Sequence, residues 1–212
     1  MNQSSRSAFE REVARLRSWA ESYDRPRHGE WECDYTNWAD LYDAVTGHVS
    51  DSKVEDWDEV VAALLLYAIA RDNEDEHLAE NLRKTLEKLY ALGQAAVCSG
   101  EKEAKWQIAE QLAHCPRGEG TETLLPTLAS DPDEYVSRRA LMALGRIKSS
   151  HVETLFEQAW ESGDEHQRMA VLDALHSVES KKLAMYLDMN KADGRQYLTA
   201  FAAQLGSSED AV

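Results

Sequence analysis

The sequence predicts an all-α chain: a right-handed α-solenoid of antiparallel helix pairs, preceded by a less regular helical part. Three observations predict it. Apolar residues recur at helical spacing along most of the 212 residues. No segment alternates apolar and polar residues as a half-buried strand would. In the C-terminal half one apolar pattern returns, with Leu112, Leu144, Leu175 and Leu205 at equivalent positions and intervals of 32, 31 and 30 residues (144 − 112, 175 − 144, 205 − 175). Stacked helix pairs leave a period of this size. Without a Pro/Gly/Ser-rich linker to divide it, the chain is read as a single domain over 1–212, with irregular helices in 1–100 and repeats in 104–206.

Taken in order, Phe9, Val13, Leu16, Ala20 and Tyr23 step by four, three, four and three, as one buried helical face requires. Trp57, Val60, Val61, Leu64, Leu65, Ala68 and Ile69 repeat the pattern. Leu78, Leu82, Leu86 and Leu89 predict a third helix, with Glu80 and Lys84 paired on its exposed side. Four Ser/Glu pairs, Ser7/Glu10, Ser52/Glu55, Ser150/Glu153 and Ser162/Glu165, fit the capping box, in which serine and glutamate satisfy orphaned amides.

The repeats follow. Trp106 to Leu112, Met169 to Leu175 and Tyr197 to Leu205 align with the stretch Asp131 to Ile147, and Thr123 to Leu128, Val152 to Trp160 and Leu183 to Leu187 supply the preceding helices. Short polar turns such as Asp131-Pro132-Asp133 separate them. The stretch Asp131 to Ile147 resembles a HEAT-type repeat unit, and Leu124-Leu125-Pro126-Thr127-Leu128 resembles the family's proline-bent first helix. The family tends to carry an arginine after the turn Asp and Val, tying turn to helices. Ser137 holds that place here, Arg168 fills it in the next unit with Asp164 upstream, and Arg138 is offset by one residue. The resemblance, over about 104–206, implies the solenoid and is nearly silent on function.

Composition limits function. The chain carries 39 acids against 23 Lys plus Arg, a formal net charge of −16. From Glu21 to Glu59 there are 12 acids against Arg25, Arg27 and Lys53. Nucleic acid would be repelled, because its affinity comes chiefly from cations that displace counterions from phosphates. HEAT-like DNA glycosylases share the architecture but need a basic track. HEAT-like enzymes that attach bilins are a second comparison, and nothing here specifically marks a bilin site. The longest apolar run, Val60 to Ala70, is too short for a bilayer, and the start lacks a signal-peptide core, so the reading is cytoplasmic and not membrane-bound. Cys33, Cys98 and Cys115 form no disulfide or metal framework and read as reduced, Cys98 and Cys115 as buried.

Catalytic signatures are missing: no Gly-x-Ser-x-Gly, no phosphate loop, no Cys-x-x-Cys, no His-x-x-x-His. His77 follows Glu74-Asp75-Glu76, but acids at a helix start answer to the helix dipole and need no metal. No catalytic, metal or cofactor residue is assigned, and the chain is read as not an enzyme. The segment Tyr23 to Tyr42 is the candidate working surface, a loop in its first part because of Pro26 and Gly29. There aromatics interleave with acids: Glu30, Trp31, Glu32, Asp34, Tyr35, Trp38, Asp40 and, just beyond, Asp43 are the expected partner-binding residues. Aromatic anchors with an acidic rim suit a basic protein partner. Alternatively Trp31 and Trp38 cover the open end of the solenoid core.

Three functional readings remain open. The first is a non-catalytic module, monomeric in its simplest form, that binds a basic protein. Its most concrete version is an inhibitor or immunity protein that neutralises a nuclease-type toxin. The second is a lyase-like enzyme or small-molecule binder with a site in the concave groove near Trp106, Arg138 and Arg168. The third is an adaptor subunit of a larger complex.

Overall fold

The computed structural model describes residues 3–22 and 34–209, and the chain divides into two compact units, Met1–Gln111 and Leu112–Val212. The described residues form twelve α-helices and one 3-10 turn, with no strand among them. The first unit contains α1 (Gln3–Ser22), α2 (Trp38–Asp51), the 3-10 turn Val54–Asp56, α3 (Glu59–Arg71), α4 (His77–Arg83), α5 (Leu86–Val97) and α6 (Lys102–Leu112), whose last residue opens the second unit.

In the first unit the apolar periodicity finds its core. Phe9, Val13 and Leu16 of α1 are fully buried, and α1 packs on α2 and α3. Phe9 stacks on the buried ring of His48 with centroids 4.6 Å apart, and burial, followed by the Arg6 charge, lowers the histidine's pKa. Tyr23 lies outside the described residues. Helix α3 buries Val61, Leu64, Leu65, Ala68 and Ile69. It begins later than the apolar pattern predicts, because the Asp58 carboxylate accepts from the Val61 amide at 2.8 Å and fixes the start there. Trp57 therefore precedes the helix, its indole N–H donating to Ser52 Oγ at 2.8 Å, and Val60 is 58% exposed.

The row Leu78, Leu82, Leu86, Leu89 is two helices and not one. Thr85, at φ −132° and ψ 88°, breaks it after a final tight turn in which its N–H reaches Leu82 C=O. The break lets α4 pack on α2 while α5 packs on α3 and the 3-10 turn, which one straight rod could not do. Glu80 pairs with Arg83 at 3.2 Å, and Lys84, the expected partner, caps the end of α4.

The second unit contains α7 (Glu119–Ala129), α8 (Glu134–Arg146), α9 (Val152–Glu161), α10 (Glu165–Ser177), α11 (Leu183–Lys191) and α12 (Gln196–Glu209). α7 pairs with α8, α9 with α10 and α11 with α12, while the second helices stack in a row, α8 on α10 and α10 on α12. Helix starts at Glu134, Glu165 and Gln196 repeat every 31 residues (165 − 134, 196 − 165). Hydrogen bonds repeat with them. Ser149 Oγ donates to Glu122 at 2.5 Å and Ser180 Oγ to Glu153 at 2.7 Å, again 31 residues on. Just before these serines, Lys148 and Glu179 sit in the left-handed region at φ 51° and 54°, which closes α8 and α10. Gly163 and Gly194 take φ 74° and 76° at another matched pair, where glycine avoids a Cβ clash.

Constant spacing corrects the register of the last unit. Leu205 falls where Ala174 stands one period earlier, not at the Leu175 position, and Leu198 fills the place of Gln167; Leu198 is fully buried, as that place requires. None of the four Ser/Glu capping boxes forms. Ser7 lies inside α1, and Ser52 closes α2 by donating to His48 C=O. His151 and Asp164 are the cap residues of α9 and α10, with Ser149 and Ser162 supporting the turns before them. Aspartates cap the well-formed starts: Asp133 accepts from Tyr135 and Val136, Asp164 from Gln167. Their charge also complements the helix dipole, which a serine cannot do.

Candidate functional site

The expected surface straddles the limit of what the structure describes. Glu30, Trp31 and Glu32 lie outside the described residues. Asp34, Tyr35, Trp38, Asp40 and Asp43 lie just before α2 or in its first turns. Asp34, Asp40 and Asp43 are exposed, Trp38 is half-buried, and Tyr35 is only 3% exposed. Tyr35 therefore supports the surface from beneath, its ring filling core space between α1 and α2.

A run of aromatic contacts fixes this corner. Trp19 of α1 lies 5.3 Å from Tyr35, Tyr35 meets Trp38 edge-on at 5.3 Å, Trp38 stacks on Tyr42 at 5.3 Å, and Tyr42 reaches His77 of α4 at 4.5 Å. Offset and edge contacts of this kind add to the area each ring buries. Arg15 of α1 clamps the start of α2, donating to Asn37 Oδ1 at 2.6 Å and to Asp40 at 3.2 Å. Asp40 is thus partly neutralised, while Asp34 and Asp43 carry their charge to the surface.

Beneath the aromatic run lies a carboxylate that the sequence reading missed. Asp72 is 2% exposed; Tyr42 Oη donates to it at 2.6 Å and the Leu78 amide at 2.7 Å. The second bond caps α4, whose own cap residue Glu76 is left-handed and offers no side chain. Burial outweighs both bonds and pushes Asp72 up to about 6. A signal existed in the run Asp72-Asn73-Glu74-Asp75, but four polar residues at a helix end read as a solvated turn. Asp72, six residues upstream of Leu78, supplies the side-chain cap of α4 in addition to the acids before His77.

The side chains of the groove reading are already engaged. Trp106 is 2% exposed; Arg138 pairs with Glu134 on its own helix at 2.9 Å and lies over Tyr135. Arg168 pairs with Asp193, donates to Trp160 C=O at 3.1 Å and lies over the Trp160 ring. Arg195 adds two bonds to Asp193, at 2.5 and 2.6 Å, and with Arg168 holds that carboxyl well below the usual range. The turn arginine expected at Arg168 therefore acts forward, on the turn of the following pair. At the Ser137 place, the Gln167 amide spans from α10 to α8 instead, donating to Ser137 Oγ at 2.6 Å and Glu134 C=O at 3.1 Å.

Cys98, expected buried, is exposed at the end of α5, whereas Cys115 is buried; Cys33 lies outside the described residues. Cys98 borders a cleft of about 510 Å³ with Trp57, Leu66 and Ala95. Among the described residues no group of three His, Cys, Asp or Glu side chains could hold a metal ion. No described helix is long and apolar enough to cross a membrane.

The family model for HEAT repeats matches residues 89–175 and 121–205, more than half of the chain. The chain belongs to the HEAT-repeat family. Its first matched span begins inside α5 and runs through α6, ahead in sequence of the three pairs of the second unit. No curated protein and no solved structure matches. HEAT repeats are typically protein-interaction and scaffold elements, and their presence suggests such a role for the chain.

Proposed function

We propose that this HEAT-repeat protein is a non-catalytic binding module that presents the acidic face of α2 to a basic protein partner. The observation that carries the reading is the placement of Asp34, Asp40 and Asp43 at the surface over a fixed aromatic run in a chain of net charge −16. Rigid supports keep such charges oriented without an entropy loss on binding, and an acidic field speeds encounter with a cation-rich surface. The half-buried Trp38 supplies the apolar anchor. The same field works against nucleic acid as a ligand. In its most concrete form the partner is a nuclease-type toxin whose basic cleft the acidic face covers, so the protein acts as an inhibitor.

The test compares affinity capture at low salt by the wild type and by an Asp34→Lys/Asp40→Lys/Asp43→Lys variant. A single basic protein retained by the wild type, released as salt rises and lost from the variant, is the expected result. Adding the wild type to that partner in stoichiometric amount should suppress its nuclease activity. Identical partners on both columns would move the binding surface away from α2, and an unaffected nuclease would remove the inhibitor role.

A further inference from the structure

The end of the stack formed by α11 and α12 carries a second surface, independent of α2. In the preceding pair, the equivalent face is occupied. Tyr186 of α11 inserts between Phe156 and Trp160 of α9, edge-on to both at 5.0 and 4.7 Å. One turn before it, Lys182 lies over Phe156 at 4.8 Å and reaches Glu157 at 3.7 Å and Glu153 at 3.9 Å. A Lys-x-x-x-Tyr helix thus fills the face of α9 and α10.

One period of 31 residues later, no described helix fills the same face. Phe156, Glu157 and Trp160 become Leu187, Asp188 and Lys191, and Val171 and Leu172 become Ala202 and Ala203. The smaller side chains leave a cleft of about 430 Å³ lined by Ala184, Leu187, Asn190, Thr199, Ala202 and Ala203, with the Asp188–Lys191 pair, 2.6 Å apart, at its rim. Its volume falls within the usual range for binding pockets.

Two changes along α11 point to a ligand. Thr154 and Gln158, exposed on α9, are replaced by Met185 and Met189, which are 51% and 47% exposed. Exposed methionine flanking a groove is typical of surfaces that receive partner helices. Asn190 replaces Ala159; it lines the cleft, is only 2% exposed, and its Oδ1 has no hydrogen-bond partner. A buried acceptor left unpaired costs stability, and a donor entering the cleft would recover it.

We propose that the α11/α12 cleft is a docking groove for a basic amphipathic helix of a partner protein, which inserts an aromatic side chain bearing an O–H or N–H one turn after a Lys or Arg. The cation meets Asp188 as Lys182 meets Glu157. The ring lies between Leu187 and Lys191 as Tyr186 lies between Phe156 and Trp160, and its donor reaches Asn190. Asp188, 72% exposed at the rim, is the carboxylate that selects the cation.

The probe is a helix-stabilised peptide copying residues 180–192, the segment that fills the face one repeat earlier. It is titrated into the full chain carrying ¹³C-methyl methionine. Saturable shifts at Met185 and Met189 are expected, with affinity reduced at least about tenfold by Ala203→Arg, an exposed position that leaves the fold intact as judged by thermal unfolding. Replacing the peptide's tyrosine by phenylalanine should weaken binding to the wild type but not to Asn190→Leu, because the lost donor then has no acceptor to leave unpaired. Absence of shifts at these methionines, or equal binding by Ala203→Arg, would overturn the proposal. So would concentration-dependent self-association of the wild type that Ala203→Arg abolishes, which would assign the face to a second copy. An Asp34→Lys/Asp40→Lys/Asp43→Lys variant should bind the peptide as the wild type does, so that failure here and failure of the α2 reading are told apart.

Discussion

Among the described residues, the Leu112–Val212 unit repeats its hydrogen bonds as well as its helices, whereas the Met1–Gln111 unit, although the family match reaches into it from residue 89, repeats no such bond. In the former, Ser149–Glu122 recurs as Ser180–Glu153, and Arg168 ties one pair to the turn of the next. In the latter, a row of leucines breaks into two helices and a lone buried Asp72 substitutes for a missing cap. Regular repetition lets every pair inherit the same solution to its turns, so stability is spread over equivalent ties. Irregular packing needs single-use devices, and these place charge and aromatic rings where no repeat would put them. The contrast holds inside the second unit too, since α11 departs from α9 at the positions where the open cleft lies.

If inter-repeat ties carry the second unit, Asp193→Ala should have the largest effect of the changes considered. It strands two guanidinium groups, Arg168 and Arg195, that together hold a carboxylate only 5% exposed. Removing the carboxylate that both share leaves two charges unpaired, a larger loss than that of a single exposed ion pair. Urea unfolding should show that loss. A change below about 1 kcal/mol would mean that apolar stacking alone holds the pair, since exposed ion pairs contribute no more than that.

The corresponding device in the first unit is pH-dependent. Asp72 titrates at about 6 in the folded protein against 3.8 in the unfolded chain, so the folded state binds the proton more tightly. Its contribution is present below pH 3.8 and is lost as pH rises through about 6. A rise from 3.8 to about 6 corresponds to about 3 kcal/mol. Asp72→Asn, which cannot ionise, should gain about that much relative to the wild type between pH 4 and pH 7. A pH-independent difference between the two would show that Tyr42 and the Leu78 amide fully compensate burial.

Much of this was legible in the chain, and the reasons for the rest are physical. Periodicity marked the buried faces of α1, α3, α8 and α10 because Phe9, Leu65, Leu141 and Leu172 have no other low-energy place. Boundaries were not legible where a side chain reaches across space: Asp72 caps a helix start from six residues away, and Thr85 interrupts a run of leucines because two neighbours compete for them. Serine signals misled because the helices begin elsewhere: Ser7 lies inside α1, Ser52 ends α2, and α9 and α10 start from His151 and Asp164. In the candidate surface the acids were legible as exposed, whereas Tyr35 and Trp38 looked alike; the first is buried against Trp19 of α1 and the second is half-buried. The α11/α12 cleft emerges only after the register is corrected to 31 residues, since an alignment on leucines pairs Ala202, rather than Ala203, with Leu172.

Glycine substitutions test the same contrast with opposite signs. In α8, a Cβ at Gly145 would lie 2.8 Å from Ala174 Cα and 3.2 Å from its Cβ, so α8 and α10 would have to separate. Backbone cannot yield as a flexible side chain can, and Gly145→Ala should cost about 2 kcal/mol. In α2, Gly47 has nothing within 4 Å of an added Cβ, and its φ is helical. There the substitution removes only the excess backbone freedom of the unfolded chain, and Gly47→Ala should stabilise by up to about 1 kcal/mol. Thermal melts of both variants decide the matter. If Gly145→Ala is neutral, the close approach of second helices is not a requirement of the stack; if Gly47→Ala destabilises, the first unit is packed around α2 as tightly as the repeats are around α8.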